Sequence, residues 1–138
     1  AAHLFLGDSG AGKSTIAALL DELPGVTRLA DEIVAVRPMD GTWKAYSIPF
    51  MGKVELPAHG KAKVASVSFL EQAADHKLEP MARGPSISSL LRCALAYVND
   101  SKRAQNTLDA ACELILAVPP QTLFFRADPS VAGVLGIT

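Results

Sequence analysis

The sequence predicts a single α/β domain with a mixed central sheet and flanking helices, and three observations carry that expectation. A short apolar run, His3-Leu4-Phe5-Leu6, is broken by Gly7 and followed by a segment with helical spacing. Two runs with strand character lie on either side of Asp40-Gly41, which fits an antiparallel hairpin. Two long helix-patterned segments then precede an apolar strand near the C-terminal end.

Taken in order, residues 3–6 read as a buried strand entering a glycine turn. From Lys13 to about Leu23, the side chains Ile16, Ala17, Leu19, Leu20 and Leu23 recur at helical spacing, and Pro24-Gly25 stops the pattern. Residues 26–30 and 33–36 are rich in branched side chains around the acidic pair Asp31-Glu32, so they form two short strands or one interrupted strand, with Pro38 ending the second run. Residues 43–48 alternate polar and apolar, and pair with residues 33–36 across a loop of about four to six residues. Residues 49–61, with Pro49, Gly52, Pro57 and Gly60, read as an extended loop, and residues 63–70 resume a strand-like Val/Ser alternation. Residues 79–85 make a second loop. Residues 86–98 and 102–117 show helical spacing with Ser86 and Ser101 as N-caps, residues 122–126 form a strand, and Pro129 starts a short helical tail. No repeat, low-complexity tract or long linker divides the chain.

Composition narrows the classes of function. The 138 residues are 49% hydrophobic and 20% charged, which suits one globular core. Thirteen Lys and Arg against fourteen Asp and Glu leave a formal charge of −1, so no broad positive field favours nucleic acid. The apolar runs fall short of the roughly 18 residues of a membrane span. The N-terminal residues lack the charged-then-apolar layout of a signal peptide. A cytoplasmic protein with no membrane partner is the expectation, and a homo-oligomer stays open. Cys93 and Cys112 sit in apolar helix-like stretches, so both are expected as small buried thiols rather than a disulfide or metal site.

The chemistry concentrates in Gly7-Asp8-Ser9-Gly10-Ala11-Gly12-Lys13-Ser14, which has the Gly-x-x-x-x-Gly-Lys-Ser spacing of a phosphate-binding loop between a predicted strand and a predicted helix. Glycines let the backbone curl until several N–H groups face phosphate oxygens, and the helix adds its positive N-terminal end. Lys13 then reaches the β and γ phosphates of ATP, while Ser14 offers a neutral oxygen to Mg²⁺. The amides do the binding, so the Asp8 side chain is expected to point outward. About 17 residues beyond Ser14, Asp31 and Glu32 follow a predicted strand. Neighbours in extended chain face opposite ways, so one carboxylate approaches the metal and the other an incoming hydroxyl.

The segment Gly7 to Thr15, followed by Leu29-Ala30-Asp31-Glu32-Ile33-Val34, resembles the HPr serine kinase/phosphorylase family and its smaller relatives. Pro49-Phe50-x-Gly52-Lys53 and the late segment from Val118-Pro119 through Leu123, Arg126 and Asp128 are similar in layout to those small relatives. The resemblance implies a nucleotide domain akin to that of phosphoenolpyruvate carboxykinase. It also implies that Asp31 accepts the hydroxyl proton and that Glu32 lies near the metal, where the kinases more often carry a second Asp. An upstream histidine and a C-terminal docking segment of the family find no counterpart, so HPr itself is not the expected acceptor. The resulting expectation is Mg-dependent transfer of the γ-phosphoryl of ATP to a hydroxyl on an unidentified protein, peptide or small molecule. The alternative is a regulatory nucleotide-binding module with slow or absent hydrolysis.

Three weaker candidates complete the reading. Arg126, at the expected end of a strand, either aims a guanidinium at transferred phosphate or caps the surface. Arg83 lies in what reads as a connecting loop or a mobile lid. Lys53, His59, Lys61 and Lys63 form a small basic stretch that reads first as a solvated face.

Overall fold

One mixed sheet organises the computed structural model, which describes residues 1–30, 33–48, 60–94 and 100–137. In chain order its elements are β1 (Ala2–Leu6), α1 (Lys13–Asp21), β2 (Val34–Met39), β3 (Thr42–Ser47), β4 (Lys61–Gln72), β5 (Lys77–Pro80), α2 (Arg83–Cys93), α3 (Ser101–Ala117), β6 (Gln121–Phe125) and α4 (Val131–Val134). The strands run β2-β3-β4-β6-β5, and β1 pairs with β4 outside that path. β4 is parallel to β1 and to β6. The pairs β2 with β3, β3 with β4 and β5 with β6 are antiparallel. The chain is therefore α/β with a mixed sheet and flanking helices, as its sequence predicts.

Alternation along the strands divides the core between the two faces of the sheet. On one face Leu4 of β1, Val67 and Phe69 of β4 and Trp43 of β3 pack with Leu114 of α3, and Leu90 of α2 joins them. On the other, Leu70 of β4 and Leu123 and Phe125 of β6 pack with Ile16 and Leu20 of α1 and with Val131 of α4. Because both faces are covered, the four residues from Val67 to Leu70 are all buried. Each large apolar side chain so buried stabilises the fold by about 1.5–3 kcal/mol.

Several expectations give way to local chemistry. The hairpin forms, but its turn is tighter than predicted: Asp40 at φ 53° and Gly41 at φ 76° supply a two-residue connection of the I′ kind. Pro38 stays inside β2 because, among the described residues, β2 pairs only with β3, so the missing N–H breaks no ladder. Pro80 ends β5 at the opposite edge for the same reason, which puts Glu79 and Pro80, expected as loop, in a strand.

No strand forms over residues 26–30. Val26 N–H turns back to Leu23 O at 3.2 Å. Arg28 N–H donates to Asp21 Oδ1 at 3.3 Å, and its guanidinium is 3.7 Å from the same carboxylate. Val26 and Leu29 pack against opposite core clusters. Their branched side chains thus satisfy burial without a β ladder, which sequence alone does not separate from strand formation.

The two expected serine caps are also replaced. α2 starts at Arg83, so Pro85 occupies the first turn where a missing N–H is harmless. Ser86 is then fully buried one turn in, its hydroxyl donating to Ala82 O at 2.8 Å. The cap of α3 is Asp100, whose Oδ1 accepts from Lys102 N and Arg103 N at 3.1 Å each, and Ser101 is the first helical residue. Cys93 is exposed and Cys112 half-buried, so the expectation of two buried thiols fails. Among the described residues, no helix is long and apolar enough to cross a membrane.

Candidate functional site

The loop of residues 7–14 leaves the C-terminal end of β1 and enters α1 directly, as the order of apolar run, glycines and helical spacing requires. Two of its glycines adopt backbone angles that other residues rarely reach, Gly10 at φ 86° and Gly12 at φ 106°. Gly12 is the N-cap of α1 and makes no side-chain cap, so the first-turn amides of Lys13 and Ser14 have no intrahelical partner. Such amides, at the positive end of a helix, suit an anion.

Lys13 Nζ folds back across the loop and donates to Gly7 O at 2.6 Å and to Asp8 O at 2.9 Å. An ammonium has three donors, so one remains directed elsewhere. The turn is closed by Ala11 N–H donating to Asp8 O at 3.0 Å. Asp8, Ser9, Ser14 and Thr15 are exposed, and Gly7 and Ala11 are half-buried. Ser14 is the second residue of α1.

Two residues from neighbouring strands hold this loop, and neither stands out in the sequence. Gln72 ends β4 and its Nε2 donates to Gly10 O at 3.0 Å, across a separation of 62 residues. Its cross-strand partner on β6 is Phe125, which is 2% exposed and whose ring lies under Gly12. A Cβ on Gly12 would come within 2.6 Å of Phe125 Cζ. The C-terminal ends of β1, β4 and β6 therefore converge on one loop, where an open α/β sheet places its ligand crevice. Beside β1 a cavity of about 990 Å³ begins at Gly7, Asp8 and Lys13 and continues along Gly25, Arg28 and Ala30.

Asp31 and Glu32 lie outside the described residues, as do Pro49, Phe50, Gly52, Lys53 and His59. The strand expected to carry Asp31 and Glu32 to the crevice is replaced by the irregular segment ending at Ala30. Lys61 and Lys63 are exposed on β4, in keeping with a solvated face. Arg83 begins α2 and is not part of a lid loop. Among the described residues, no cluster of three or more His, Cys, Asp and Glu side chains could hold a metal.

Arg126 follows β6 and its Nη2 is 3.4 Å from Asp128 Oδ2. Asp128 also accepts from Ser130 N at 2.8 Å, and the hydrogen bonds from Ser130 hold its carboxyl below the usual range. His76 Nε2 is 3.0 Å from Ser130 Oγ, while Arg126 N–H donates to His76 Nδ1 at 3.4 Å. With Nδ1 accepting, a neutral His76 carries its proton on Nε2 and donates it to Ser130. These contacts make the ring a clasp beside β5, β6 and α4.

Compared with protein-family models, with curated proteins and with solved structures, the chain gives no match in any of the three.

Proposed function

We propose that the loop of residues 7–14 is a phosphate-binding loop for Mg-ATP and that the protein is a small kinase related to HPr serine kinases, with a nucleotide domain like that of phosphoenolpyruvate carboxykinase. The observation that carries this reading is the junction of β1 and α1: two glycines at positive φ, helix amides without intrahelical partners, and the Lys13 ammonium already folded over the loop. Lys13 exchanges a carbonyl for β and γ oxygens when a triphosphate enters, a move that needs only rotation of its own side chain. The residues fit the metal in kind, since Mg²⁺ on a nucleotide takes few protein oxygens, and here Ser14 and Glu32 would supply them. Bound there, Mg²⁺ would neutralise charge on the β and γ phosphates.

In the transfer, the acceptor hydroxyl oxygen bonds to the γ phosphorus while the bond from that phosphorus to the β–γ bridging oxygen breaks. ADP leaves with the bridging electron pair, and the hydroxyl proton passes to the Asp31 carboxylate. The loop amides and Lys13 hold the phosphates in line for that displacement.

The test combines titration calorimetry with circular dichroism and transfer of labelled phosphate to lysate proteins. Lys13→Ala should stay folded and lose about ten- to hundredfold in Mg-ATP affinity, the range for removing charge-assisted hydrogen bonds. Unchanged affinity in the folded variant would defeat the phosphate-loop reading. Asp31→Asn should keep affinity within a few fold and lose transfer by about 10²- to 10⁴-fold. If transfer is absent in wild type, or unaffected by Asp31→Asn, a regulatory nucleotide-binding module becomes the better reading.

A further inference from the structure

The peptide unit between Gly10 and Ala11 is fixed at both ends. Its carbonyl accepts from Gln72 Nε2 at 3.0 Å, and its N–H donates to Asp8 O at 3.0 Å. A trans peptide is planar, so two opposed hydrogen bonds both resist its flipping. It stands between Gly10 and Gly12, the two loop positions at positive φ and hence the ones most able to rotate. Beneath Gly12 lies Phe125, the register partner of Gln72, so the adjacent ends of β4 and β6 meet the loop at two successive points. Leu70 precedes Gln72 on the same strand face and is buried in the core with Ile16 of α1, which anchors the strand end that Gln72 extends.

From this arrangement we infer that Gln72 is a positioning residue for phosphate binding, acting through the Gly10–Ala11 peptide and not through contact with the ligand. The inference rests on the phosphate-loop reading above. A loop held in its binding conformation before the ligand arrives loses less freedom on binding. A loop that reaches that conformation only part of the time binds more weakly by the same fraction. Gln72 is exposed and contributes little burial, so its amide, and not its bulk, is what the loop uses.

The experiment titrates Mg-ATP and inorganic tripolyphosphate into wild type, Gln72→Met and Gln72→Glu, with melting temperatures recorded for each. Methionine keeps the length of the side chain and removes the donor, while the ionised glutamate turns a donor into an acceptor facing a carbonyl. Gln72→Met should weaken both ligands by the same factor, about three- to tenfold, the span of one neutral hydrogen bond. Gln72→Glu should weaken both further, and neither substitution should move the melting temperature by more than about 2 °C. In ligand-free samples, hydrogen exchange at the Ala11 amide should speed up in Gln72→Met, a readout that does not depend on nucleotide. If Gln72→Met binds as wild type does and Ala11 exchanges unchanged, the inference is overturned while the phosphate-loop reading stands. If wild type binds neither ligand, that reading falls and takes the inference with it. A weakened Mg-ATP with unweakened tripolyphosphate would also overturn it, since Gln72 would then act on the nucleoside.

Discussion

Gly12→Ala perturbs the molecule at the point where backbone conformation and core packing meet. Two costs add there. A side chain at φ 106° lies in left-handed backbone, worth about 1–2 kcal/mol. The new methyl would also sit 2.6 Å from Phe125 Cζ, and Phe125 is 2% exposed and enclosed by Ile16, Leu20 and Val131, so the ring has little room to withdraw. Overpacking of that kind costs about 1–3 kcal/mol, giving a sum of roughly 2–5 kcal/mol. Gly10→Ala supplies the control, because φ there is 86° but no atom lies within 4 Å of the added Cβ, so only the backbone cost of about 1–2 kcal/mol remains. Urea unfolding monitored by circular dichroism measures both, and at about 4 °C per kcal/mol the thermal midpoint of Gly12→Ala should fall by roughly 8–20 °C. Phe125→Leu, which removes the atom in conflict, should recover part of the loss when combined with Gly12→Ala, a coupling visible in the double-mutant cycle. If Gly12→Ala is no less stable than Gly10→Ala, Phe125 does not press on the loop and the account of how β6 holds it is wrong.

Two further outcomes follow from local chemistry. Asp100→Ala should destabilise the fold by about 1 kcal/mol in urea unfolding, while Ser101→Ala stays within about 0.5 kcal/mol, because the carboxylate and not the hydroxyl accepts from the first-turn amides. His3 sits half-buried on β1 with Nδ1 2.7 Å from Ser66 Oγ, and burial lowers its pKa from 6.5. The unfolded chain therefore takes up a proton that the folded chain resists, so stability from this site is complete above pH 6.5 and declines as pH falls below it. His3→Gln should flatten the stability profile across that window, and an unchanged slope would assign the pH dependence elsewhere.

The sequence on its own determined the strand-loop-helix order at residues 3–23, because an apolar run, glycines and helical spacing are local signals that tertiary packing here reinforces. It determined the hairpin through Asp40-Gly41, since turn chemistry depends on adjacent residues alone. The spacing on which the proposed roles of Lys13 and Ser14 rest is likewise a local pattern. What only the tertiary structure decided is what lies far along the chain. The burial of Val26 and Leu29 without a strand depends on the two core clusters they pack against, whose members include residues about forty to a hundred positions further along the chain. Pro38 and Pro80 sit in strands because both strands are edges, a property of strand order and not of composition. Gln72 and Phe125 carry no local signature, yet register places them side by side at the ends of β4 and β6, under the loop. A ladder between distant segments brings such residues together through contacts whose partners no short window of sequence contains.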